Sequence, residues 1–412
     1  MDLSKIFEKR HEAAKYSVKE IEYIIKTFGK RDPGSEGERK ACEYMAKVLR
    51  DDCGCDRVTI ESFKLHPKSF YGWLYFTITL ALLAILAMVW APIFSIIFVI
   101  AGLVIGFLQF GLYKKFIDGF FPEKTGTNVT AIKHPTGEVK RRILFCGHPD
   151  ATWEWPVNYH FGGIAFDIHI LSALLGAIYY MILAIISVAQ GRVFGTLDFS
   201  TPIGKAYLVG LIFVPLLIGL YKMVDFNLVV DGANDNLSGC YIGIALLKML
   251  QDEGIEFENT EIGVLLTGCE EAGLRGAKAW AEAHKEEFSD VETIIYAFDT
   301  IRESKYLMAN YRNLNATVKS DAEVADLFME GAKAAGVPCS KGMVPPFGGA
   351  TDDAAFTQAG FRAAGITGLN HKIERYYHTR LDSYDNMHEG AIADCLAATI
   401  KTLELYDNKN NE

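Results

Sequence analysis

Residues 263–273, GVLLTGCEEAG, decide how the chain reads. Val264–Leu266 is a short apolar run of strand character, and Thr267-Gly268-Cys269 ends it. Two adjacent carboxylates follow, Glu270 and Glu271, and then a helical pattern reaches Lys285. Neighbouring glutamates at the end of a buried strand repel each other and are costly to desolvate. The pair therefore predicts a positive charge beside it. A divalent cation bound by one carboxylate, with the other free to act as a base, answers both demands.

Other acidic and histidine elements sit just past predicted strands, where open α/β sheets place their ligands. Strands are expected over residues 57–65, 127–133, 141–146 and 291–298, and helices over 17–26, 36–50, 239–250, 321–335 and 389–406. The alternation predicts an α/β fold, a mixed and mostly parallel sheet sandwiched by helices. His148 lies in GHPD after the third strand, Asp235 in DGANDNLSG, Asp299 at the end of the strand over 291–298, and His378 in RYYHTRLD. With Glu271 they form a set of two imidazoles and three carboxylates, suited to a dinuclear centre with one carboxylate bridging. Nitrogen and oxygen ligands without cysteine favour two zinc ions, with manganese or cobalt as alternatives. Asp150, two residues after His148, is placed to orient that imidazole. Glu270 remains free to deprotonate a metal-bridging water. Singly, each residue has a blander reading: Asp235 as a helix cap, Asp299 as a turn residue, a lone histidine as structural. The ordered set is harder to explain that way.

The 412 residues suffice for two average domains, and half of them are hydrophobic. That excess is local. Runs over 70–90, 93–113, 170–189 and 206–221 are nearly free of charge and long enough to read as membrane-spanning helices. They pair into two hairpins, so each return leaves the chain on one side. The expected organisation is a discontinuous catalytic domain (1–68, 114–166 and 225–412) interrupted by hairpins at 69–113 and 167–224. Lys64, Lys68, Lys114, Lys115 and Lys222 flank the spans on the side of the large segments, which predicts that side to be cytoplasmic. The N-terminal MDLSKIFEKR is too charged for a signal peptide. Eight cysteines without metal-finger spacing fit a reducing compartment. A net charge of −10 argues against nucleic-acid binding. The expected partners are a peptide substrate and membrane lipid. Gly102 and Gly106 form a small-residue face that could pack helices within the chain or join two copies as a homo-oligomer.

The order H-x-D, GA-N-D-N-x-S-G, E-E, a strand ending in D, and Y-H-T-x-x-D resembles the M28 family of co-catalytic zinc aminopeptidases. The resemblance spans everything outside the hairpins and is most specific in GANDNLSG and CEEAG. It implies two zinc ions held by His148, Asp235, Glu271, Asp299 and His378, with Asp235 bridging and Glu270 as general base and acid. It implies release of N-terminal residues from peptides, with Asp150 and Asp382 supporting the ligands. Glutaminyl cyclases share the fold with one zinc and without the first histidine, so His148 favours hydrolysis. The chain departs from the family at Asp353, where many relatives have histidine. It also lacks the upstream tyrosine that stabilises the oxyanion in some relatives, for which Tyr377 or Tyr376 could substitute. If the first three strands run up, down and up, both hairpins leave from the edge where His148 ends its strand. The site then faces the membrane and favours apolar or membrane-associated peptides. Trp153, Trp155 and Pro156 could line a pocket or, as the slightly favoured reading, anchor at the membrane interface.

Overall fold

The computed structural model describes residues 2–345 and 348–408. Its strands are β1 (Arg57–Leu65), β2 (Lys124–Lys133), β3 (Arg141–Gly147), β4 (Trp153–Glu154), β5 (Asp225–Val229), β6 (Thr260–Thr267), β7 (Glu292–Ile301), β8 (Leu307–Asn313), β9 (Val318–Lys319), β10 (Ser340–Met343) and β11 (Arg362–Gly368). Nine of them form the main sheet, in the order β1-β2-β6-β3-β7-β11-β8-β10 with β9 against β8. The central block β6-β3-β7-β11 is parallel. Antiparallel pairs flank it. Every residue of β3 and β6 is buried. Strands covered on both faces need continuous apolar runs, and ILFC in β3 and GVLL in β6 supply them.

Helices Arg10–Phe28, Glu36–Asp51, Ser238–Asp252, Ala322–Ala334 and Glu389–Asn408 pack one face of the sheet. The other face is covered by Arg275–His284, Asp353–Ala359 and part of the apolar helices. The sequence reading omitted β4, β5, β8, β9 and β10, which are short or rich in polar residues, and β11, whose RAAGITG is built largely of alanine and glycine. Two of these matter for the site: β4 and β5 pair and brace the segment after His148.

Among the described residues, four helices are long and apolar enough to cross a membrane: Ser69–Ala87, Pro92–Gly111, Gly163–Ala189 and Pro202–Lys222. The third starts at Gly163, ahead of the expected 170, and so takes in Asp167 and His169. His169 is accommodated because its Nε2 lies 2.8 Å from the Leu216 carbonyl of the fourth helix. That fourth helix breaks between Gly210 and Phe213. Pro215 explains the break, since its ring would collide with the carbonyl four residues earlier, at Leu211. At their far turns the hairpins join, with Gly195 N–H donating to the Trp90 carbonyl at 2.8 Å and Leu197 N–H to Val89 at 2.7 Å.

β1 and β3 run the same way and β2 runs against both. The end of β1, the start of β2 and the end of β3 therefore share one edge, and both hairpins leave from it. Glu270 and Asp299 lie at the same edge, following β6 and ending β7.

A buried polar latch fixes the root of the first hairpin. Asp118 Oδ1 accepts from Ser69 Oγ at 2.7 Å, Gln109 Nε2 at 3.0 Å and Arg275 Nη2 at 3.1 Å. Asp118 and Arg275 are both buried. Removing one partner of a buried ion pair leaves the other charge uncompensated, at about 3–5 kcal/mol. Asp118→Ala should lower thermal stability in detergent by that order, and a double substitution that also makes Arg275 apolar should recover part of the loss.

Candidate metal centre

The site is assembled from four loops at the carboxyl edge of the sheet. After β6, Cys269 adopts a left-handed φ of 60°. Glu38 holds it there, accepting from Cys269 N–H at 2.7 Å and from Gly34 N–H at 2.8 Å. Glu38 also sits in the first turn of its own helix, capped by Ser35. The turn at Cys269 sends Glu270 and Glu271 back over the strand ends. Their backbone N–H groups both donate to the Asp150 carboxylate, each at 3.1 Å. Asp150 Oδ1 also lies 3.5 Å from His148 Nδ1, so one buried carboxylate ties the β3 loop to the Glu270-Glu271 turn.

The DNLSG segment is locked to the end of β7. Asn236 Nδ2 donates to the Phe298 carbonyl at 2.7 Å, and the Asn236 side-chain oxygen accepts from Thr300 N–H at 3.2 Å. Asn236 is itself buried. Asp382 holds the same loop from the other side, accepting from Asn234 N–H at 2.8 Å and Asp235 N–H at 3.1 Å. Burial pushes the Asp382 carboxyl up to about 7, and the nearby Asp235 charge adds to the shift.

Asp235 stands between two histidines. Its Oδ1 is 3.4 Å from His148 Nε2, and its Oδ2 is 3.1 Å from His378 Nε2. Glu271 Oε1 lies 3.4 Å from His378 Nε2. Glu270 Oε2 and Asp299 Oδ1 lie 3.8 and 3.9 Å from His148 Nε2. Two groups capable of holding an ion result: His148, Glu270 and Asp299, and Asp235, Glu271 and His378. Glu270, expected to stand free of the ligands, is thus itself a member of one group, within reach of either a cation or a water.

The donor set fits divalent cations on chemical grounds. His148 Nδ1 and Nε2, Asp235 Oδ2, Glu271 Oε1 and His378 Nδ1 are buried without hydrogen-bond partners. Orphaned buried donors and acceptors are rare and need an explanation. Burial pushes Glu270 and Glu271 well above the carboxylate range; the neighbouring Glu271 charge adds to the shift at Glu270, and Asp235 to that at Glu271. Burial also works to raise Asp235, but its ion pairs with His148 and His378 outweigh it and hold the group low. Asp352, which accepts from Thr267 Oγ1 at 2.5 Å, is pushed by burial up to about 7.

Several residues of the site were missed or misplaced by sequence reasoning. Phe70, Tyr71, Phe110 and Tyr113, from the first apolar hairpin, line the pocket over the acids. Tyr71 Oη donates to Glu271 Oε2 at 3.5 Å. Trp155 is part of the pocket wall rather than an interfacial anchor: it is buried, stacked on Phe166 at 4.3 Å and packed edge-on against His378 at 4.2 Å. Trp153 is buried against Phe226 and Tyr71. Of the two tyrosines, Tyr377 lines the pocket. Tyr376 instead lies beneath the Arg302 guanidinium at 4.6 Å. Asp353, in place of the relatives' histidine, is bound away from the pocket by Asn313, Thr351 and Ser320.

Residues 221–403 match the sequence profile of peptidase family M28. No curated protein matches the chain in sequence. Among solved structures, the zinc aminopeptidase BSAP from Bacillus subtilis superposes with a TM-score of 0.56 at 13% identity, covering 95% of this chain and 94% of that one. LapB from Legionella pneumophila gives 0.56 at 10% identity, covering 100% and 76%. Glutaminyl cyclase from Porphyromonas gingivalis gives 0.53 at 11% identity, covering 97% and 98%. At these identities the likeness is one of fold.

Supporting carboxylates of this kind typically contribute 10–100-fold to metal affinity. Asp150→Asn, which must give up one of the two backbone hydrogen bonds, should weaken metal binding by about that factor in a calorimetric titration. For the unaltered protein, affinity should rise with pH, because a cation must displace the protons that burial retains on Glu270 and Glu271.

Proposed function

From the membership of residues 221–403 in peptidase family M28, we propose that the chain is a membrane-bound, di-zinc aminopeptidase. It would release N-terminal residues from apolar or membrane-associated peptides, its site facing the bilayer and its peptidase domain on the cytoplasmic side. The observation that carries the reading is Asp235, whose two oxygens each face a different histidine at 3.4 and 3.1 Å. A carboxylate so placed suits a bridge between two cations. His148 and Asp299 would hold one, Glu271 and His378 the other. Bound zinc would supply Lewis acidity, polarising the scissile carbonyl and lowering the pKa of water.

The remaining work falls to the chain's own groups. Glu270, buried at the pocket with its carboxyl held high, takes a proton from the attacking water. It returns that proton to the leaving amine as the C–N bond breaks. Asp150 and Asp382 keep the ligand loops in register through the backbone bonds described above. Tyr377 and Tyr71 are the hydroxyls available to the carbonyl oxygen, the second supplied by the membrane hairpin. The buried aromatic roof excludes bulk water, which strengthens every charge interaction beneath it. The lysines at the hairpin roots support the cytoplasmic assignment.

The test is metal content together with hydrolysis of N-terminally free and N-terminally blocked peptides, on detergent-purified protein. Two ions per chain are expected. Glu270→Gln should keep the ions and lose about 10²–10⁴-fold in cleavage of free N-termini, the usual contribution of a general base. A single ion would favour the glutaminyl-cyclase-like reading. Full metal content with no hydrolysis of any peptide, in solution or in bilayers, would favour a peptidase fold serving as an inert scaffold.

A further inference from the structure

Two further cavities adjoin the metal pocket, one almost wholly apolar and one of mixed polar and apolar lining. One, of about 300 Å³, lies among the apolar helices and meets the metal pocket at Tyr71, Phe110 and Trp155. Its walls are carbon almost throughout, from residues such as Leu74, Ala81, Leu103, Ala177 and Leu217. The other, of about 390 Å³, meets the metal pocket at Asp299, Ala350 and Tyr377 and is bordered by Lys305, Lys372 and Asn370. The acids of the metal centre sit where the two join.

We propose that this arrangement fits an amphiphilic amide: one long hydrocarbon chain in the intramembrane cavity, the scissile amide at the metal centre, and an anionic head group beside Lys305 and Lys372. An N-acyl amino acid has this form. The inference rests on the amide hydrolysis proposed above and extends its substrate class.

The cavity's chemistry selects a hydrocarbon over a peptide segment. Each backbone N–H and C=O taken into an apolar space without a partner costs several kcal/mol. The Thr77 hydroxyl on this wall is already bonded to the Gly102 carbonyl at 3.2 Å. The lining groups with no partner are the indole N–H of Trp73 and Trp155, which donate and cannot accept. A peptide's N–H groups would find no acceptor there, whereas a methylene chain asks for none. A leucine or phenylalanine side chain would satisfy the neck at Tyr71 and Trp155 and leave most of the volume empty. At the other cavity, the lysines match a carboxylate and would disfavour a second apolar chain.

The reaction balances as a simple hydrolysis. Water oxygen bonds to the acyl carbon and the C–N bond breaks. The water proton passes through Glu270 to the departing nitrogen, leaving a fatty acid in the cavity and an amino acid on the lysine side.

The experiment uses the full chain, zinc-loaded, in phosphatidylcholine nanodiscs. N-butanoyl-, N-octanoyl- and N-hexadecanoylglycine are compared with a peptide bearing a free leucine N-terminus. kcat/KM should rise steeply with chain length, by about a hundredfold or more over the series, given what each buried methylene contributes. Ala81→Phe and Ala177→Phe, on different helices, should flatten that rise, lowering kcat/KM for the hexadecanoyl compound far more than for the butanoyl compound. Lys372→Glu should raise KM for the acylglycines more than for the corresponding primary amides. Binding of N-hexadecanoylglycine to Glu270→Gln should weaken on the same cavity-filling substitutions, a readout that needs no turnover. A flat chain-length series alongside Glu270-dependent cleavage of the leucine peptide would overturn this inference and leave the aminopeptidase standing. Hexadecanoyl binding unchanged by both substitutions would overturn it too, marking the cavity as space filled by a bilayer lipid tail. Absence of any Glu270-dependent turnover would instead count against the hydrolase reading, and the binding series would still decide this one.

Discussion

The structure is organised around a charge that the chain itself does not supply. Asp150, Asp235, Glu270, Glu271 and Asp352 are buried at one edge of the sheet around His148 and His378, with Asp299 closing the ring. Moving even one ionised carboxylate from water into a protein interior costs several kcal/mol unless it is paired. Two imidazoles cannot neutralise so many acids, and Arg31, the nearby buried cation, is turned to the carbonyls of Pro149, Asp231 and Gly232. Arg31 therefore braces the loops behind the acids and does not pair with them. The fold meets the constraint with backbone donors: Asp150 and Asp382 each collect two N–H groups from ligand loops. What remains unmet points inward, at the place where cations would sit.

This constraint explains which parts of the site are legible in sequence. His148, Asp235, Glu270 and Glu271 follow strands in short segments rich in glycine, asparagine or acid, and Asp299 lies near the end of its own, so local patterns expose them, whereas His378 is exposed by the tyrosines and aspartate around it in RYYHTRLD. The parallel strands β3, β6 and β7 show as apolar runs, being buried on both faces, whereas β11, RAAGITG, has too few large apolar side chains to stand out. The roof is hidden because Tyr71 and Phe110 occur in segments where most neighbours are also apolar. Within such a run, a residue that faces the acids cannot be told from one that faces lipid. Trp155 carries a second ambiguity, since tryptophan beside a membrane helix suits an interface as well as a pocket. Its place is set by Phe166, a short way along the chain, and by His378, distant in sequence. Tyr376 and Tyr377 separate only in three dimensions, one drawn to Arg302 and the other left over the acids.

The position of the insertions follows from strand direction. A hairpin can be spliced into a sheet protein only where a connection reaches the surface, and every connection at the carboxyl edge borders the metal pocket. With both hairpins there, residues of the first apolar hairpin form one wall of the pocket. The Asp118–Arg275 latch then matters beyond stability, because it sets the height of Tyr71 and Tyr113 over Glu270. Any tilt of the hairpin would carry those rings with it. The helices and the sheet meet at a single edge, so a change in the apolar helices could reshape the pocket wall without displacing the acids and histidines beneath it.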